Sequence, residues 1–189
     1  AEMLKDIFMV PEEFELPNVS LATYVKMNQE FYPNFSQEVL DRCLKDFDLP
    51  LSLKLNELSM GQKKKVFMSF ALATGTRFLL MDEPTNGLDI PSKSQFRKVI
   101  ANNMTEDRTL IISTHQVHDV ESLLDHIIIM NQSQLLLDAS VSDICEKYTF
   151  EYRNPQEMDD TVLYAEPTLQ GNAAICKRQE GEQETQMNL

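Results

Sequence analysis

Asp82 and Glu83 stand side by side where an apolar run ends in a loop, and no other pair in this chain is better equipped for chemistry. The run Phe78-Leu79-Leu80-Met81 has the texture of a buried strand, in which charge is tolerated only where the backbone leaves the core. Two carboxylates at such an edge can divide the work. One helps hold a hydrated Mg²⁺, and the next orients or deprotonates an attacking water. That is equipment for hydrolysing a nucleoside triphosphate. An isolated Asp-Glu pair is more often a solvated acidic turn, so the assignment rests on what flanks it.

Signals lie on both sides. Upstream is Leu58-Ser59-Met60-Gly61-Gln62. Pro84 and Asn86-Gly87-Leu88-Asp89 follow the carboxylates, and a second apolar run, residues 109–113, closes on Thr114 and His115. In this order, over about 60 residues, these segments resemble the ATP-binding cassette (ABC) family. The first resembles its signature, the second its Walker B segment, the third its D-loop and the fourth its switch histidine.

The resemblance implies a role for each residue. Asp82 would face Mg²⁺ through water, and Glu83 would be the general base or water-orienting group. His115 would contact the γ-phosphate and steady the water. Ser59, Gly61 and Gln62 would meet the γ-phosphate of an ATP held on the opposite subunit, so that the motif works only across a head-to-tail dimer. Asp89 would belong to the loop that joins the two sites. The resemblance also implies ATP and Mg²⁺ as ligands, a transmembrane permease as partner, and a place at the inner face of the cell membrane. Independently of any family, Ser59 and Asp89 read as helix N-caps. Lys63–Lys65 could add positive charge near a phosphate, although a solvated helix face is the favoured reading. Glu12 follows Pro11 where the family usually has Gln. A carboxylate there could still coordinate Mg²⁺, but it would repel phosphate.

No G-x-x-x-x-G-K-[ST] occurs. Glycine is present only at 61, 75, 87, 171 and 181, too sparse for a phosphate cradle of backbone N–H groups. The expectation is a piece of an ABC ATPase without its N-terminal phosphate-loop part, inactive by itself. Two rivals stand beside a transporter ATPase: a soluble ABC ATPase without a transporter, and a non-catalytic regulatory binding module.

Composition sets the outer bounds. The 189 residues are 42% hydrophobic and 25% charged, as in ordinary globular protein. A net charge of −13 argues against nucleic acid or an anionic membrane as a direct partner. No apolar stretch approaches the ~20 residues of a transmembrane helix. Cys43, Cys145 and Cys176 are far apart and odd in number, and read as reduced thiols of a cytosolic protein.

Alternating strands and helices predict an α/β fold with a mostly parallel core sheet of ABC (P-loop NTPase) type and a helical subdomain at about 14–57. Strands are expected at 4–10, 77–82 and 109–113, the last two buried. Helices are expected at 20–29, from Ser36, from Met60 to Thr74, after Asp89, at 116–125 and after Ser140. A hairpin should turn at Gln132-Ser133. The ABC part is drawn as 1–148. Residues 149–189 form an acidic extension, with strand-like patches and a polar end expected to be partly disordered.

Overall fold

The computed structural model describes residues 2–179, 181, 185 and 187, and divides into two compact units, 1–120 and 121–189. In the first unit three strands pair in parallel in the order β1-β2-β3: β1 (Ile7–Val10), β2 (Phe78–Asp82) and β3 (Thr109–Ser113). The register aligns Ile7 with Phe78 and Thr109 at one end, and Asp82 with Ser113 at the other. β1 is shorter than expected, because Glu2–Lys5 form a 3₁₀ turn. The pairing with β2 begins at Ile7 opposite Phe78, and Asp6 O still accepts from Phe78 N at 2.8 Å.

Side chains alternate across the sheet. Phe8, Val10, Leu79 and Met81 are buried on one face, where β1 packs against α3 (Met60–Ala73). The other face is open. Met9, in register with Leu80, is 54% exposed, and Ile111, in register with the same residue, is 52% exposed. The expectation that residues 109–113 are buried is therefore corrected. β3 is an edge strand whose hydrogen-bonding rim and one flank remain bare. Parallel sheets ordinarily carry helices on both faces.

Helix boundaries follow local chemistry. α1 (Leu21–Asn28) and α2 (Gln37–Asp46) start at Ser20 and Ser36, whose hydroxyls accept from Thr23 N and Val39 N. The α2 face Leu40, Cys43 and Leu44, with Phe47 after it, is fully buried as the periodicity predicts. Burial pushes the Cys43 thiol up to about 12, which keeps it protonated and inert at neutral pH. α3 ends at Gly75, with φ +62°; a Cβ there would come within 2.7 Å of Asn34 O, so both conformation and space demand glycine. α4 (Ile90–Asn103) is capped by Asp89, has Pro91 in its first turn and buries Phe96, Val99 and Ile100.

Residues 116–125 do not form the expected helix. Two 3₁₀ turns, Val117–Asp119 and Glu121–Leu123, replace it. Arg97 Nη1 donates to Asp119 O at 3.2 Å, so a carbonyl needed for helix continuation is already engaged, and Lys93 holds the Asp119 carboxylate at 2.6 Å.

The second unit begins with the hairpin of β4 (His126–Asn131) and β5 (Gln134–Ser140). Its turn residues, Gln132 and Ser133, both have positive φ (45° and 63°), the handedness that matches strand twist. α5 (Val141–Lys147) is capped by Ser140. An antiparallel sheet follows in the order β6-β8-β7, from β6 (Tyr148–Arg153), β7 (Val162–Thr168) and β8 (Gly171–Lys177). Ile127, Ile144 and Met187 centre a small core, with Leu137, Tyr148 and Phe150 packed against it. The strand-like patches of the sequence are β7 and β8; the expected disorder of the polar end falls largely outside the described residues.

Candidate functional site

The carboxyl edge of the parallel sheet gathers three loops. β2 delivers Asp82 as its last residue, and β3 delivers Ser113 beside it, whose hydroxyl donates to Asp82 Oδ1 at 2.6 Å. The ladder continues one bond further, with Glu83 N donating to Ser113 O at 2.8 Å, and there the chain leaves the sheet. Glu83 does so with φ +42°, a left-handed conformation that costs a non-glycine residue about 1–2 kcal/mol. Pro84 then cannot extend the strand.

The Glu83 carboxylate is held from the β3 side. Thr114 Oγ1 donates to Oε2 at 2.8 Å, His115 N donates to Oε1 at 2.9 Å, and His115 Nδ1 lies 2.6 Å from the same oxygen. Burial pushes the carboxyl up, yet the hydrogen bonds from His115 and Thr114 together outweigh it and hold Glu83 below the ordinary carboxylate range. An ionised carboxylate has about four acceptor directions, so three contacts leave about one for a water. His115 itself is largely exposed, able to turn outward to a ligand.

A pH prediction follows from this geometry. Because the native carboxyl lies below its unfolded value, its stabilisation is complete above the ordinary Glu range and is lost as pH falls through the lower native value. Thr114→Val removes one donor. The wild type is expected to melt at a higher temperature than Thr114→Val near neutrality, and the gap should narrow towards acid. A gap independent of pH, in thermal melts at several pH values, would show that Thr114 acts only through packing.

The remaining predicted residues sit around this edge. Glu12, just past β1, accepts from Asn86 Nδ2 at 2.7 Å, which ties the loop after β1 to the turn after β2. Ser59 and Gln62 pair with each other: Ser59 Oγ accepts from Gln62 N at 3.3 Å, and Gln62 Oε1 accepts from Ser59 N at 3.0 Å. This capping box opens the 14-residue helix α3 at an exposed N-terminus. Gly61 lies over Leu88, whose Cδ2 would be 3.9 Å from an added Cβ, so the signature helix and the 86–89 turn touch there. Asp89 Oδ1 accepts from Ser92 N at 2.9 Å, and bonding to Ser92 holds the Asp89 carboxyl below its ordinary value.

Three contacts were invisible from sequence. Ser113 and Thr114 read as the flank of the His115 motif, with no role of their own. Lys64 read as part of a solvated face, and the structure corrects this. Its side chain is 7% exposed, and Nζ donates to Glu83 O at 3.2 Å and to Asn86 O at 2.8 Å. Lys65 is engaged as well, bonding Gln95 Oε1 at 2.8 Å. Position 64 shares its helical face with the buried Met68 and Ala71, not with Val66 and Phe70, so α3 is buried on more than one side, and three consecutive lysines conceal that.

For a divalent ion the donor set is sparse. Among the described residues no group of three or more His, Cys, Asp or Glu is placed to enclose a metal. Asp82 with the Ser113 hydroxyl fits Mg²⁺ instead, which keeps most of its waters and takes one or two carboxylates plus substrate phosphate oxygens.

A family model described as "AAA domain, putative AbiEii toxin, Type IV TA system" matches residues 28–118. The zinc uptake system ATP-binding protein ZurA of Listeria innocua is 33% identical over 113 residues, covering 58% of this chain and 44% of that protein. The chelated iron transport system membrane protein YfeB of Yersinia pestis is 32% identical over 120 residues, covering 62% and 40%. The chain thus spans less than half the length of either relative. A solved ATP binding subunit of an ABC transporter has a TM-score of 0.64 at 22% identity, covering 74% of this chain and 61% of the other, a likeness of fold.

Proposed function

Because the chain carries part of an ATP-binding cassette ATPase domain, we propose that it supplies the hydrolytic edge of an ATP-driven transport ATPase. The observation that carries the reading is the meeting of Asp82, Glu83, Ser113, Thr114 and His115 at the carboxyl edge of a parallel sheet, where ligands of such sheets bind. Asp82, beside the Ser113 hydroxyl, is the residue that would face Mg²⁺, whose chemistry there is to neutralise charge developing on the phosphate oxygens. Glu83 orients a water and accepts its proton as the γ-phosphate is attacked. His115, leaving Glu83 for the phosphate, frees the carboxylate to do so.

Ser59, Gly61 and Gln62 open α3 at its positive end, and a phosphate there would meet backbone N–H groups and the Ser59 hydroxyl. In this reading that phosphate comes with a second copy, two copies enclosing two MgATP and driving a permease at the inner face of a membrane. No helix of the described residues is long and apolar enough to cross a membrane. A phosphate-loop segment is required in addition to these residues, and without it the chain is not expected to turn over ATP.

The test of the two-copy arrangement is sedimentation of a polypeptide that joins this chain to a phosphate-loop segment. MgATP should double its mass under conditions where turnover is blocked, and ADP should leave it single. A single copy in every nucleotide state would remove the shared-site reading.

A further inference from the structure

Lys64 is a buried cation, and among the described residues no carboxylate forms an ion pair with its ammonium. It lies on the inward side of α3, and its Nζ reaches beneath the turn that follows β2, donating to the carbonyls of Glu83 and Asn86. Buried lysines are rare unless their charge is answered. Here the answer comes from around it. Burial holds the ammonium below the ordinary lysine range, and Glu12, then Glu83, then Asp82 offset part of that pull. Glu12 is the nearest in effect, and it is also bonded to the turn, through Asn86 Nδ2 at 2.7 Å. The turn is therefore held from two sides, by a cation on its carbonyls and by a carboxylate on its side-chain amide. The turn needs holding, because Glu83 has φ +42°.

We propose that Lys64 and Glu12 form a charge-balanced clamp on the Glu83–Asn86 turn, which makes Lys64 a positioning residue for the Glu83 carboxylate. The clamp rests on the reading of Glu83 as the water-orienting group. It gives Glu12 a reason to be a carboxylate where the resemblance calls for Gln: a Gln could accept from Asn86, but it would leave the ammonium with less opposing charge. Lys64→Met removes the cation and keeps the length of an apolar stem. It also strands Glu12 as a negative charge that has lost the cation it shared with Glu83 and Asp82.

The first test is hydrogen exchange in the chain as it stands, without nucleotide. Lys64→Met is expected to raise exchange at the amides of Glu83 and of residues 85–88 about tenfold or more, with those of α4 unchanged. Asn86→Ala, which keeps the Asn86 carbonyl but cuts the Glu12 contact at a half-buried site, should open the same segment by less. Flat exchange in both variants overturns the clamp. So does an equal rise across β2 and α4, which would make Lys64 a general packing residue.

The second test uses MgATP turnover in the joined polypeptide. Lys64→Met should lower kcat about tenfold with little change in KM, and adding Glu12→Gln should recover part of the loss, because the stranded carboxylate goes with it. Losses that multiply overturn the pairing. Turnover that survives Glu83→Gln would sink the functional reading while the exchange result stands by itself. Flat exchange beside turnover that depends on Glu83 would sink only the clamp.

Discussion

Glu83→Gln is expected to reduce MgATP turnover at least about 10²–10³-fold while nucleotide remains bound. The substitution is nearly isosteric. One side-chain oxygen stays to accept from His115 N, and the new amide can donate to Thr114 Oγ1, which then acts as acceptor; the constellation of 2.6–2.9 Å contacts can persist. What is lost is the negative charge and the lone pair able to take a proton. A fall in kcat without a matching rise in KM would mean that the interaction is made in the transition state alone. The measurement is steady-state turnover of the joined polypeptide together with equilibrium nucleotide binding. Two-copy assemblies should accumulate with ATP, since the hydrolysis expected to part them is blocked. Residual turnover above about a tenth of wild type would move the base elsewhere.

Phe70→Ala should be the most damaging change in the first unit. Phe70 is 1% exposed, and its ring contacts those of Phe8, Tyr24, Tyr32 and Phe35, with centroids 5.1–6.3 Å apart. These four belong to β1, α1 and the chain before α2, so one side chain of α3 joins the sheet to the helical segment. Truncating a buried Phe costs about 3–5 kcal/mol. Against a typical domain stability of about 5–15 kcal/mol, that is enough to bring the unit close to its unfolding threshold. The expected result is a large drop in urea midpoint, read by circular dichroism, with residues 121–189 judged separately by hydrogen exchange. A midpoint shift worth less than about 1 kcal/mol would show that the aromatic cluster repacks around the gap.

Much of this was legible because the relevant signals are local. Ser59, Asp89, Ser36 and Ser140 announce helix starts through their own hydrogen bonds, and each caps the helix expected of it. The two carboxylates at the end of β2 and the histidine after β3 are placed by strand boundaries that apolar runs define. What escaped depends on partners distant in sequence. Lys64 is indistinguishable from its neighbours until the turn at 83–86 is laid over it. The exposure of Ile111 depends on how many layers cover the sheet, and a run of apolar residues carries no record of that. The helix expected at 116–125 gives way to Arg97, which takes a carbonyl from 22 residues upstream.

The parallel register also governs when the site can exist during folding. The Glu12–Asn86 bond closes a separation of 74 residues, and the His115–Glu83 bond one of 32. Each closure carries a loop entropy that no neighbouring contact repays in advance. Such contacts form late, after β1, β2 and β3 have found their alignment. Local helices can therefore assemble, caps included, in a chain that still has no acidic edge. A slip of one residue in β3 would move Thr114 and His115 away from Glu83 while leaving every helix intact. The site thus reports on strand alignment, and a misaligned chain would lack the acidic edge while keeping its helices.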